Sequence, residues 1–356
     1  MKLYKKLGFL LIYIIPCLII GSYYAGGWWT FSGVIFAYGI IPIWDELVGR
    51  DSENVTEQSI EGLVESPYFT YILISLVWVQ MGLLWWVIYM FAHEPFTTIE
   101  FVGMLLSIMT ANASGINIAH ELGHRKEKWC RFWAKVNLMT VCYMHFYIEH
   151  NRGHHVNVAT PLDPATSRKN QWFYAFWFQT VLGAWASAWR LEARRMKAKN
   201  LPTYALQNEM WLCILLPLAF AGVMFWWGGT VGILFFFLQS LMAFSSLEIV
   251  NYIEHYGIER KLLPNGKYER VNPLHSWNAN HLISNLFLFQ LQRHSDHHAN
   301  ASRPYQILRH FETSPQLPFG YPVMIILALI PPLWFAVMNK RLENWKLQNE
   351  LQNGVA

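Results

Sequence analysis

Six stretches of this chain, 7–25, 28–45, 68–92, 98–119, 210–228 and 231–253, are predominantly apolar. Each is close to the roughly 20 residues that a helix needs to cross the hydrocarbon layer of a bilayer. Backbone in hydrocarbon must pair with itself, so such stretches fold as helices. The composition agrees: only 14% of the residues are charged, against roughly 25% in a soluble domain. The expected fold is all-α, a six-transmembrane-helix bundle. The first stretch follows Lys2, Lys5 and Lys6 as the core of a signal peptide would, but its apolar run is too long and no small-residue cleavage site precedes the second. It reads as an uncleaved first span.

Basic residues orient the bundle. With six spans, all 27 lysines and arginines fall on one side, and the connections near 26–27, 93–97 and 229–230 carry none. Positive charge stays on the cytoplasmic side, so the N-terminus and the large regions 120–209 and 254–317 are expected there as a helical cap. Residues 1–356 read as a single domain. The acidic stretch 46–67 reads as a surface helix, and 129–147 and 318–338, apolar but interrupted, as helices packed on the bundle or dipping into the interface. Basic residues form no exposed aromatic-studded face, which excludes nucleic acid as a partner. Cys17, Cys130, Cys142 and Cys213 form no CxxC pair. They read as small buried hydrophobes, and an iron–sulfur or rubredoxin-type carrier within this chain is excluded.

Nine of the 14 histidines fall in four tight groups, all on the cytoplasmic side: His120 and His124; His150, His154 and His155; His255; and His294, His297 and His298. His120 and His124 are spaced to share one helical face. The second group repeats that i,i+4 spacing with an added neighbour, and Gly153 inside it permits close approach. The last has i,i+3,i+4 spacing. Nine unligated rings would compete for few partners and repel one another once protonated. Neutral rings around metal avoid this, each offering one nitrogen as ligand and the other to a supporting partner. Nine exceed the four ligands of a tetrahedral zinc and suit two metals of four or five ligands. Imidazole alone does not choose among Fe, Cu, Zn and Ni. Glu121, Glu149, Glu254, Asp296 and Asp163 are expected to orient the rings, with one of them as a ligand being the rival reading. His275 and His281, beside Asn278 and Asn280, are further candidates for that supporting role. His93, His145 and His310 read as structural.

The segments HELGHR (120–125), EHNRGHH (149–155), NYIEHYG (251–257) and LQRHSDHH (291–298), with ATPLDPATSR (159–168), resemble in order and spacing the signature boxes of the integral-membrane alkane monooxygenases. The resemblance runs from the second span to about residue 340. It implies a non-haem di-iron site with two Fe ions held by the nine histidines named above, O2 as co-substrate, and terminal hydroxylation of an n-alkane to a primary alcohol. It also implies a bacterial cytoplasmic membrane and electrons from a separate rubredoxin with its NADH-dependent rubredoxin reductase.

Three rivals remain. Another membrane di-iron oxidase, such as a fatty acyl desaturase or hydroxylase or a xylene-type monooxygenase, shares the chemistry and differs in product. An intramembrane zinc protease would use HELGH with Glu121 as base, and leaves six histidines unused. A metal transporter or sensor would place ionisable groups inside several spans, where spans one to three and five offer little beyond Gln80. Ala37 and Gly39 in the second span could leave room for a longer alkane, or serve as packing contacts as small residues in membranes commonly do.

Overall fold

The computed structural model describes residues 1–352. Among these the chain is helical, with isolated bridges and no strand. Helix α1 spans Leu3–Ala25 and α2 Gly27–Val48. Gly26 and Gly27 join them at φ 69° and 53°, a left-handed turn that glycine makes without a steric cost. Neither helix is uniform: α1 tightens to a 3-10 form at Phe9–Tyr13, and α2 widens to a π turn at Phe36–Ile40. Helix α3 (Glu57–Glu65) buries no residue, as expected for a surface helix.

Two long spans follow, α4 (Pro67–His93) and α5 (Thr98–Gly123), the latter opened by a Thr97–Glu100 capping box that satisfies its first free N–H groups. Helix α6 (Lys128–Met139) packs on the bundle. Next come α7, composed of Phe146–Glu149, a π turn at His150–His154 and a last turn His155–Asn157, and then α8 (Phe173–Ala198).

Helix α9 runs from Met210 to His255 but is broken at Gly229, where φ is 57° and ψ −148°. The rings of Phe220 and Phe236, on either side of the break, lie 5.5 Å apart. Straight helix would separate them by about 24 Å. The chain therefore doubles back here, at the connection the sequence places between its fifth and sixth apolar stretches. By length and hydropathy α1, α2, α4, α5 and α9 are five helices able to cross a membrane, and the protein is a multi-pass membrane protein.

Beyond α9 lie α10 (Leu282–Phe287), α11 (His294–Ala299), α12 (Tyr321–Ala328) and α13 (Pro331–Gln352). The interrupted apolar segment 318–338 resolves into α12 and the start of α13. Trp334, Met338 and Leu342 of α13 pack with Tyr252 and Tyr256 in a second core beside the main one.

Helix α5 is the axis on which the site is built. Its carbonyls at Ala111 and Gly115 accept from Gln80 Nε2 and Asn137 Nδ2, each at 2.8 Å, and Asn112 Nδ2 donates to Gln239 Oε1 at 2.7 Å. These bonds tie α4, α6 and α9 to α5 at fixed depth. In an apolar medium, where no water competes, unmade polar pairs are costly. Gly115 leaves the space that the Gln80 side chain occupies. The ends of α5 and α9, closed over by α7 and α11, bring all nine clustered histidines to one end of the bundle.

Candidate metal centre

The nine histidines form two groups. His120, His124, His150, His155 and His297 make one, and His154, His255, His294 and His298 the other; within each, the ligand atoms lie within 4.8 Å of one another. In the first group Nε2 of His155 is 3.0, 3.1 and 3.3 Å from Nε2 of His150, His297 and His124, and Nε2 atoms of His120 and His297 are 2.9 Å apart. In the second, His298 Nε2 lies 2.8 Å from that of His294 and 3.2 Å from that of His154, while His294 and His255 are 3.3 Å apart.

The division of the boxes follows from backbone geometry. The His155 N–H bonds to the His150 carbonyl, the i,i+5 pattern of the π turn. That turn puts His150 and His155 on one face and sends His154 to the other group. The α-helical i,i+4 spacing read from sequence therefore does not describe this box. Such one-turn π bulges concentrate at functional sites. In α11 the ordinary rule holds: His294 and His298 share a group, and His297 turns to the other.

These atoms suit metal. One ring N–H can bond only one neighbour, yet His155 Nε2 faces three nitrogens. Metal–imidazole bonds of about 2.0–2.1 Å meeting at roughly 90–109° place adjacent nitrogens about 2.8–3.4 Å apart. The observed spacings fall in that interval. Burial pushes His124 down to about 3, and burial together with the neighbouring rings holds His150, His155, His294, His297 and His298 well below the ordinary histidine range. These six rings are thus held toward the neutral form, which ligates.

The expected supporting residues separate into two sets. Asp163 and Glu254 touch the rings. Asp163 Oδ2 lies 2.9 Å from His154 Nδ1 and accepts from Thr166 Oγ1 at 2.7 Å. Burial opposes charge on both partners, but their contact outweighs it: His154 is raised and Asp163 lowered from their ordinary values. Glu254 Oε1 accepts from Tyr321 OH at 2.8 Å, and its Oε2 is 3.1 Å from His294 Nε2, on the ligating side of that ring.

The other candidates make no hydrogen bond to the nine rings. Glu121 pairs with Arg125 at 3.0 Å and accepts from the Tyr305 N–H, an arrangement unlike that of a protease base beside its metal. Glu149 is pushed up to about 8, by burial and then by Asp163 nearby; the backbone of Gly153 lies against its carboxyl group. Asp296 binds Arg303 and accepts from the Arg309 N–H, anchoring α11 to the following loop. His275 contacts Glu269 and Asn272, and His281 lies 3.7 Å from Glu46; neither reaches the nine rings. His145 packs edge-to-face against Tyr143 and Trp185 outside both groups. His310 contacts Asn280, and His93 stacks on Tyr89 at the far end of α4.

A cavity runs from the spans to this end of the bundle, lined among others by Ile15, Ala37, Asn117, Val250, Leu291 and Tyr321. Asn117 stands one turn before His120, and Val250 one turn before Glu254. Ala37 lines the cavity, and Gly39 is not among its lining residues. Tyr321 and Asn117 were not singled out by sequence reasoning. A polar residue one turn before the first histidine was the available signal for Asn117; nothing in the spacing marks Tyr321.

Fold and site define a multi-pass membrane protein with two histidine clusters able to hold metal, and residues 95–328 match the fatty acid desaturase family. The chain is 46% identical to alkane 1-monooxygenase 2 of Pseudomonas aeruginosa, over 94% of this chain and 89% of that one. It is 39% identical to alkane 1-monooxygenase 1 of Alcanivorax borkumensis, over 92% and 82%. The xylene/toluene monooxygenase hydroxylase component of Pseudomonas putida is more distant, at 28% over 94% and 89%. The chain belongs to the alkane 1-monooxygenase family, and is an oxidoreductase.

Proposed function

We propose that this enzyme converts medium- to long-chain n-alkanes to primary alcohols at a di-iron site, using O2 and electrons from rubredoxin and its NADH-dependent reductase. The reaction takes RCH3, O2, two electrons and two protons to RCH2OH and water. The observation that carries the reading is the cavity: its apolar wall ends one helical turn from His120 and from Glu254 and His255. An alkane offers no polar handle, so its recognition is shape and apolar contact.

Five and four imidazoles would hold the two irons, which supply O2 reduction and C–H oxidation when bound. This chain's own residues supply the rest. Asp163 fixes the tautomer and orientation of His154, placing the proton on Nδ1 and freeing Nε2. Tyr321 holds Glu254 against His294. Leu291, Val250 and Phe287 keep water from the reacting end, and confinement of a methyl group there replaces a bimolecular encounter.

In this reading the N-terminus and metal centre face the cytoplasm of a bacterial inner membrane and α9 crosses twice to make six spans; the one-sided distribution of lysine and arginine supports the orientation. Reductant would then arrive from the side the histidines face. The test is gas chromatography of products from membranes holding this chain, rubredoxin, its reductase, NADH, O2 and a set of n-alkanes. Primary alcohols that disappear in His154→Ala or His297→Ala support the reading. No alcohol from any alkane, in membranes with verified iron occupancy, would shift the substrate to acyl lipids or alkyl aromatics.

A further inference from the structure

Taking the cavity as the alkane site proposed above, we infer that Asn117 binds the hydroxyl group of the product alcohol through its amide oxygen. The reaction creates one polar atom, at the substrate carbon nearest the histidines. The hydroxyl-bearing residues around the cavity are mostly committed to partners of their own. Thr110 Oγ1 donates to the Leu106 carbonyl at 2.9 Å, Ser114 Oγ to that of Thr110 at 3.2 Å and Ser246 Oγ to that of Met242 at 2.9 Å. Tyr321 gives its hydrogen to Glu254. An alkane therefore meets a wall whose donors are turned back on the protein.

Asn117 is different. It is 7% exposed and lines the cavity one turn before His120. Its Nδ2 donates to the Leu288 carbonyl at 2.7 Å. This bond anchors the amide and fixes which end is the acceptor. Among the described residues no donor reaches its Oδ1. A carbonyl oxygen left unpaired in an apolar, water-poor space is costly, and an alcohol O–H is the group the reaction brings to this end of the cavity. The same contact has a kinetic consequence. It distinguishes product from substrate at one site, so the alcohol competes with the next alkane.

The experiment compares equilibrium binding of radiolabelled 1-dodecanol and dodecane to the metal-free protein in lipid nanodiscs, for wild type, Asn117→Leu and Ser114→Ala. Metal-free protein keeps the result independent of iron and of the electron carrier. The expected result is that Asn117→Leu weakens dodecanol binding by about three- to tenfold, the worth of one hydrogen bond, and leaves dodecane binding within about twofold. Ser114→Ala, whose hydroxyl serves its own helix, should change neither. Retained dodecane binding also shows that the variant is folded. Equal weakening of both ligands, or unchanged dodecanol binding, overturns the inference and leaves the proposed reaction standing. Failure of wild type to bind dodecane would instead remove the cavity as the alkane site.

Discussion

His154 and Asp163 form a buried pair, Nδ1 to Oδ2 at 2.9 Å, joining α7 to the turn that follows it. The pair sits between two chemistries. On one side Nε2 of His154 faces His298 at 3.2 Å; on the other Asp163 Oδ1 accepts from the Ala165 N–H at 3.0 Å, which locks the carboxylate in its own turn. A carboxylate so placed keeps the imidazole in the ligating tautomer and strengthens it as a ligand.

Asp163→Asn should therefore lower metal affinity or activity by about ten- to hundredfold, the usual effect of removing such a partner. Metal content after dialysis against a graded chelator, compared with wild type, measures it. Retention equal to wild type would show that the Asp163 charge does not support the metal.

His145 provides an acid-stability test away from the rings. Burial pushes its pKa down to about 3, and its Nε2 has no hydrogen-bond partner. The unfolded chain, with a value of about 6.5, takes up this proton first. Stability is complete above 6.5 and is lost as pH falls from there toward 3. At pH 5.5 the cost is about 1.4 kcal/mol by linkage. His145→Leu should narrow the stability difference between pH 7.5 and 5.5 by about 1 kcal/mol, measured by thermal unfolding of solubilised protein. An unchanged difference would contradict a neutral buried His145.

Ala37 lines the cavity at the π turn of α2. Ala37→Trp should shorten the longest n-alkane converted, as read from alcohol yields across a chain-length series. If the profile stays the same, Ala37 is a packing residue and the cavity's far boundary lies elsewhere.

Exposed Arg190, Arg194, Lys197 and Lys199 close α8 in positive charge, and Lys261, Lys267 and Arg270 are exposed on the loop after α9. An acidic carrier would be drawn to such a surface, chiefly through its rate of association. Turnover with subsaturating rubredoxin should fall as salt rises, because screening shortens the reach of these charges. Salt-independent turnover would place docking on another, uncharged contact.

Much of this was legible in the sequence, for specific reasons. Apolar length gave the membrane-crossing helices in kind, five by length and hydropathy, since hydrocarbon thickness sets a length that composition cannot disguise. His120 and His124 were legible as a pair because α5 is regular to Gly123 and His124 caps it with helical backbone angles. The His150 box was legible as a histidine cluster but not in its division, because a π turn alters which residues share a face and leaves no spacing signal. His275 and His281 looked equivalent to other polar residues near the boxes. Their loop turns them toward Glu269 and Glu46, a tertiary outcome without a local cause. The role of Tyr321 depends on α12 packing beside the end of α9, a contact made across 67 residues.

The most direct test of the account is the number of metal ions per chain in protein purified from iron-replete cells, by mass spectrometric metal analysis against quantified protein. Two irons per chain are predicted, falling to about one in His298→Ala, which opens the four-histidine group alone. A single metal ion per chain in the wild type, or zinc in place of iron, would contradict the paired centre on which the proposed chemistry rests.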